Sequence, residues 1–205
     1  MNVTRLDEAQ LLQSAEELAE LLADTVDGGA SIGFLAPLDR DAAVAWWKER
    51  ADEVAAGRLA VWAAHDGRRT VGTVSLAFPA KPNSRHRAEL AKLMVHREAR
   101  GHGLGRGLLG TAESAAAALG ITLLHLDTET DSPAEHLYRT AGWTRAGVIP
   151  DYAADPAGVL RPTTLYSTPV STGTPSRRLS AAPATAPVMP YAVRARRLAL
   201  TAPHT

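Results

Sequence analysis

The stretch Ala88–Leu119, AELAKLMVHREARGHGLGRGLLGTAESAAAAL, constrains this chain more than any other. It reads as an apolar strand, a glycine-rich loop and an alanine-rich helix. Gly101, Gly103, Gly105 and Gly107 alternate through the loop, with Arg97, Arg100 and Arg106 among them. Glycine lets a backbone come close to a ligand because no Cβ intervenes. The first N–H groups of a helix have no intrahelical partner and carry the positive end of its dipole. A strand that passes through such a loop into a helix is a phosphate cradle.

The segments around it follow from periodicity and turn residues. Asn2–Arg5 is a short strand, and Glu8–Asp27 is a helix capped by Asp7, with Leu11, Ala15, Leu18, Leu22 and Val26 on one face. GASIGFLAPL follows, too apolar for a loop that meets only water; Ile32 suits core, whereas Ser31 and Phe34 suit core or ligand. Asp39 or Asp41 caps a helix over Ala42–Ala56. Its adjacent Trp46 and Trp47 cannot share a direction, so one packs and one is free to wall a pocket; Trp47 is taken as the wall. Arg58–His65 and Thr70–Phe78 form a hairpin around Asp66-Gly67. Glu89–Val95 is the strand before the cradle, Gly120 ends the helix after it, and Ile121–Asp127 is the next strand. Pro133–Ala141 is a short helix, and Trp143–Val148 and Leu160–Thr168 are closing strands. This order makes an α+β fold, a mixed β-sheet flanked by helices with one βαβ crossover at the cradle.

Composition narrows the partners. Twenty-two basic and 22 acidic side chains balance, so no global field favours nucleic acid or a membrane. Absence of cysteine removes disulfides, thiolate metal sites and a cysteine nucleophile, and fits a cytoplasmic protein. No run nears the ~18 apolar residues of a spanning helix, and the first residues lack the pattern of a signal peptide. Residues 1–170 are the folded domain. Residues 171–205 hold Arg177, Arg178, Arg194, Arg196 and Arg197 and no acid, and read as a disordered Pro/Ala-rich basic tail.

Counting excludes two common phosphate loops. G-x-G-x-x-G ends on Arg106 when begun at Gly101, and on Leu108 when begun at Gly103. A triphosphate loop needs a lysine after its last glycine, and none is present. His96, Glu98 and His102 lack zinc spacing, and Asp127, Glu129 and Asp131 lack the later residues of a calcium loop. No metal is expected.

Arg100-x-x-Gly103-x-Gly105, after a strand and opening a helix, resembles the acyl-CoA motif of the GNAT superfamily of N-acetyltransferases. Asp131–Trp143, DSPAEHLYRTAGW, is similar to that family's Asn-x-x-Ala-x-x-Leu-Tyr-x-x-x-Gly-Phe segment, with Asp131 and Trp143 as departures. GASIGFLAPL, HRAELAKLMVHREARGHGLG, LLHLDTE and the stretch from Tyr138 through LRPTTLY resemble the tabtoxin-resistance type within it, over most of residues 29–168. The resemblance implies a GNAT fold and acetyl-CoA as co-substrate. Its cofactor-binding positions are Leu93, Met94 and Val95 on the strand, with Arg100, Gly101, His102, Gly103, Leu104, Gly105 and Arg106 in the cradle. It implies Tyr138 as the proton donor to the leaving thiolate, and Glu89 and Asp127 as general bases.

The two acids also suit the chemistry. An alkyl amine, with a pKa of ~10.4, is protonated near neutrality and must lose a proton before it attacks a thioester. Period-2 alternation sets Glu89 on the face of Ala91, Leu93 and Val95, and Asp127 on the face of His125. Apolar neighbours would raise a carboxyl's pKa and make it a better base. Read without the resemblance, Glu89 is equally an edge charge and Asp127 a helix-entry cap, Tyr138 a packed tyrosine, and His125 a core or pocket residue. The expected acceptor is a small-molecule amine, amino-acid-like or a β-lactam antimetabolite, contacted by Ser31, Phe34 and Trp47. A protein or peptide amine, a non-catalytic acyl-CoA-binding module and an arginine-tail nucleic-acid accessory are the alternatives. Homodimerisation stays open.

Overall fold

The computed structural model describes residues 2–171, and the tail over residues 172–205 lies outside them. The chain begins with β1 (Asn2–Leu6), followed by α1 (Glu8–Gln13), α2 (Ala15–Asp27), α3 (Arg40–Lys48) and α4 (Ala51–Ala55). The hairpin β2 (Leu59–His65) and β3 (Thr70–Ala77) precedes β4 (Arg87–Val95). Then come α5 (Leu104–Ala118), β5 (Leu123–Glu129), α6 (Pro133–Thr140), β6 (Thr144–Ala154) and β7 (Leu160–Pro169). All seven strands join one sheet in the order β1-β2-β3-β4-β5-β7-β6, in which only β4 and β5 pair in parallel.

Local chemistry sets the helix ends. Asp7 and Gln10 bond reciprocally, side chain to backbone, in a capping box. The expected helix Glu8–Asp27 is broken at Ser14, yet Leu11, Ala15, Leu18 and Leu22 stay buried on one side. The second expected helix, Ala42–Ala56, also divides. The Arg50 guanidinium donates to the Trp46 carbonyl at 2.8 Å, which a continuous helix would offer to the Arg50 N–H. That N–H turns to Trp47 O instead, at 3.1 Å. Asp39, not Asp41, caps α3.

The two sheet faces bury separate cores. One packs α5 and α6 over Trp62, Val74, Leu76, Leu90, Leu124 and Leu126. The other packs α1–α4 over Leu59, Val61, Ala63 and Met94. The closing hairpin extends further than expected: β6 runs to Ala154, with the ladder interrupted between Ile149 and Ala153. Pro150 falls in that interruption, where no ladder donor is required.

Two irregularities in β4 shape everything that follows. Thr73 pairs with Met94 and Ser75 with Ala91, so Lys92 and Leu93 together oppose Val74. This is a β-bulge, with Lys92 at φ +51°. The alternation flips across it. Ala88 and Leu90 lie on the α5 face; beyond the bulge Leu93 and Val95 pack there, while Met94 joins the α1–α4 core. Glu89 therefore does not share a face with Leu93 and Val95, as strict alternation implies. It looks toward α1–α4. Second, β4 and β5 pair only from Arg87↔Leu123 to Glu89↔His125. Beyond Glu89 the strands separate, and the β4 backbone edge that faces β5 has no strand partner.

Candidate active site

The cradle lies at the wide end of that gap. Gly101 and Gly103 hold φ of +80° and +79°, the left-handed region that side chains resist. Gly105 and Gly107 are helical residues of α5, so only two of the four glycines serve the turn. Gly103 is the N-cap, and the first helical bond runs from Gly107 N to Gly103 O at 3.0 Å. The N–H groups of Leu104, Gly105 and Arg106 thus have no helical acceptor. A Cβ on Gly103 would meet nothing within 4 Å, so the protein leaves the space over the loop open.

Side chains fix the loop from three directions. Arg100 Nε donates to Val95 O at 2.9 Å. Arg106 Nη2 donates to Thr140 Oγ1 on α6 at 2.9 Å, and His102 donates to Arg100 O. Asp24, at the end of α2, accepts from both the backbone and the guanidinium of Arg97. Of the expected cofactor strand, Leu93 and Val95 pack toward α5, whereas the Met94 side chain is buried on the opposite face.

The α1–α4 side of the gap carries the charges. Glu89 and His125 are direct partners across the parallel pair, and Asp127 follows on the same β5 face, since Leu124 and Leu126 pack in the α5 core. Both carboxylates are solvent-exposed, contrary to the apolar surroundings expected of them. Arg87 donates to His125 Nε2 at 2.6 Å. Burial, and then the Arg87 charge, hold His125 below its ordinary pKa, so it stays a neutral pocket residue.

The same face of the sheet carries a wall built from separate segments. Phe34 meets Trp46 edge-to-face at 5.4 Å. Lys92 places its ammonium 5.8 Å from the Phe34 ring and 5.4 Å from that of Trp46, and donates to Ile32 O at 2.9 Å. Trp47, taken as the wall from sequence, is instead fully buried in the α1–α4 core. Trp46 is the half-buried member of the pair; α3 turns only one of two neighbours fully inward. Ser31 Oγ donates to Ala154 O at 3.4 Å, and Ala36 N to Pro156 O at 2.9 Å, which ties this loop to the β6–β7 hairpin. Sequence reasoning passed over Lys92 and Arg50 and took Trp47 where the structure offers Trp46. The available signal was the single charge inside the apolar run Leu90–Val95.

Tyr138 comes from the other face. It is 5% exposed and packs against Trp143 and Tyr166, with ring centroids 5.7 and 6.4 Å away. Burial and, secondarily, the charge of Asp127 push its phenol well above the usual tyrosine range. Asp127 and Tyr138 therefore lie on the two different faces of the sheet.

The model of the Acetyltransferase (GNAT) family matches residues 11–143. This chain belongs to the GNAT acetyltransferase family. It is an acetyl-CoA-dependent N-acetyltransferase. Solved structures agree on the fold of this enzyme. The GNAT phosphinothricin acetyltransferase of Sinorhizobium meliloti, solved with acetyl-CoA, is 21% identical, with a TM-score of 0.69 over 87% of this chain and 94% of that one. The ribosomal-protein-alanine N-acetyltransferase of Brucella melitensis is 22% identical, with a TM-score of 0.64 over 82% and 99%. An N-acetyltransferase of Staphylococcus aureus is 15% identical, with a TM-score of 0.68 over 83% and 100%. The mixed seven-stranded sheet flanked by helices is thus the GNAT fold.

Proposed function

We propose that this acetyltransferase transfers the acetyl group of acetyl-CoA to the amine of a small molecule in the cytoplasm, with a toxin of amino-acid-like or β-lactam type as the acceptor. The observation that carries this reading is the convergence of Glu89 and Asp127 on one face of the gap that begins where β4 and β5 part. Exposed carboxylates there attract an ammonium and accept its proton, directly or through water. The four segments similar to tabtoxin-resistance enzymes, which include both acids, support the toxin class.

The residues fit the co-substrate. The free N–H groups of Leu104, Gly105 and Arg106, with Arg100, Gly101, His102 and Gly103, suit a metal-free pyrophosphate at a helix N-terminus. The unpaired edge of β4 through Leu93, Met94 and Val95 suits an extended amide-bearing arm. When bound, the co-substrate supplies an activated acetyl group. Tyr138 keeps its proton across the physiological range. Because a thiol's pKa is near 8.5, the higher phenol gives its proton uphill, so its contribution is a hydrogen bond that stabilises the departing thiolate.

The test is a screen of free amines for acetyl-CoA-dependent thiol release, with the product identified by mass. Release matched by an N-acetylated small molecule supports the reading. Acetylation confined to protein or peptide amines overturns it.

A further inference from the structure

Lys92 has no role in the steps above, yet its surroundings are specific. The β4 bulge holds it at φ +51°, a conformation that side chains rarely adopt, and this turns its ammonium into the acceptor wall. The ammonium has three donors. One goes to Ile32 O, and Phe34 and Trp46 offer only ring faces at more than 5 Å. No carboxylate among the described residues lies within ion-pairing distance of it.

The neighbouring cation is already occupied. Arg50 lies 3.8 Å over the Trp46 ring and donates to Trp46 O and Glu49. Lys92 is therefore the cation of this wall with donors to spare. Glu89 and Asp127 lie on the same α1–α4 face of the sheet as the Phe34–Trp46 pair that Lys92 reaches; burial lowers the Lys92 pKa, the charges of Asp127 and Glu89 oppose that shift and the charge of Arg50 adds to it. Among the described residues, two carboxylates without a close cation share this face with an ammonium without an anion. The complementary occupant bears both charges.

We propose that the acceptor carries a carboxylate as well as its amine, and that Lys92 binds the carboxylate while Glu89 and Asp127 receive the amine. This rests on the small-molecule acetyltransferase reading and narrows it. Lys92 is then a specificity-determining residue. A primary amine whose acid is amidated, esterified or missing leaves the ammonium desolvated and unpaired, which a buried polar group tolerates poorly.

The test compares amino acids with their carboxamides: the common L-amino acids, β-alanine and γ-aminobutyrate, each at saturating acetyl-CoA. For accepted pairs the expected kcat/KM is at least about tenfold higher for the acid. Lys92→Met brings that ratio close to one, and Lys92→Arg keeps part of it. A second measurement needs no variant. Propionate, butyrate and glutarate should compete with the acceptor in the unaltered enzyme, and their amides should not. Equal use of acids and amides, or an acid preference that survives in Lys92→Met, overturns the inference while leaving acetyl transfer intact. Acetylation of amines outside both series, with no competition by the acids, also overturns it. No acetylation of any amine overturns both readings.

Discussion

The two walls of the gap between β4 and β5 are built by opposite means. The wall proposed for the coenzyme is one continuous stretch, Leu93–Arg106, built from its backbone: two left-handed glycines, three free helical N–H groups and a strand edge without a strand partner. The wall proposed for the acceptor is assembled from side chains of distant segments: Ile32 and Phe34, Trp46 and Arg50, Glu89 and Lys92, His125 and Asp127. A backbone site leaves a spacing pattern in the sequence. A side-chain site leaves separate residues whose meeting depends on the bulge, the register and the break between α3 and α4.

The tryptophan pair tests that contrast most severely. Trp47→Ala empties the α1–α4 core and should cost about 3–5 kcal/mol of stability, read by denaturant unfolding. If Trp47 lined the acceptor site instead, the loss would fall on acceptor KM, with stability kept.

On the side proposed for the coenzyme, Gly103→Val forces a branched side chain into the left-handed region and into the open space over the loop. The acetyl-CoA KM should rise by at least about tenfold, given about 1–2 kcal/mol for the backbone strain alone. Gly107→Ala, one turn into α5, should leave that KM alone and gain up to ~1 kcal/mol of stability. Equal effects of the two substitutions would mean that the glycines serve helix packing, not a ligand.

Trp46→Ala is the milder counterpart across the gap. Acceptor KM should rise several-fold while the acetyl-CoA KM stays the same and the melting temperature falls less than in Trp47→Ala, since Trp46 is only half-buried and loses its contacts to Phe34, Lys92, Arg50 and Trp47.

The smallest effect is alkaline. Burial raises the Tyr138 pKa above the unfolded value of ~10. Below pH ~10 neither state ionises and the contribution is whole. Above it only the unfolded chain releases the proton, so stability falls as pH rises. Tyr138→Phe removes this dependence, and its melting temperature should decline less between pH ~9 and ~11 than that of the unaltered protein. Tyr166, also raised, keeps part of the slope in both. An identical decline in the two proteins would place the Tyr138 hydroxyl in water.

Much of the fold was legible because each element announces itself locally: Asp7 as a cap, Asp66-Gly67 as a turn, Pro133 in the first turn of a helix. The βαβ crossover followed from the cradle. What escaped was tertiary. Strict alternation placed Glu89 with Leu93 and Val95, and nothing local says that Lys92 breaks the count. The choice between Trp46 and Trp47 depends on which side of α3 meets the sheet. Carboxylates expected among apolar neighbours are exposed because the gap opens there, a property of two strands and not of either.

The division of labour between the walls is tested most directly by Glu89→Gln combined with Asp127→Asn, measuring acceptor turnover and acetyl-CoA binding on the same protein. If the acids act on the amine and the backbone holds the coenzyme, kcat falls by about a thousandfold while the acetyl-CoA Kd stays the same. Full turnover in the double variant would contradict the assignment of the bases. A weakened coenzyme Kd would contradict the separation of the two walls.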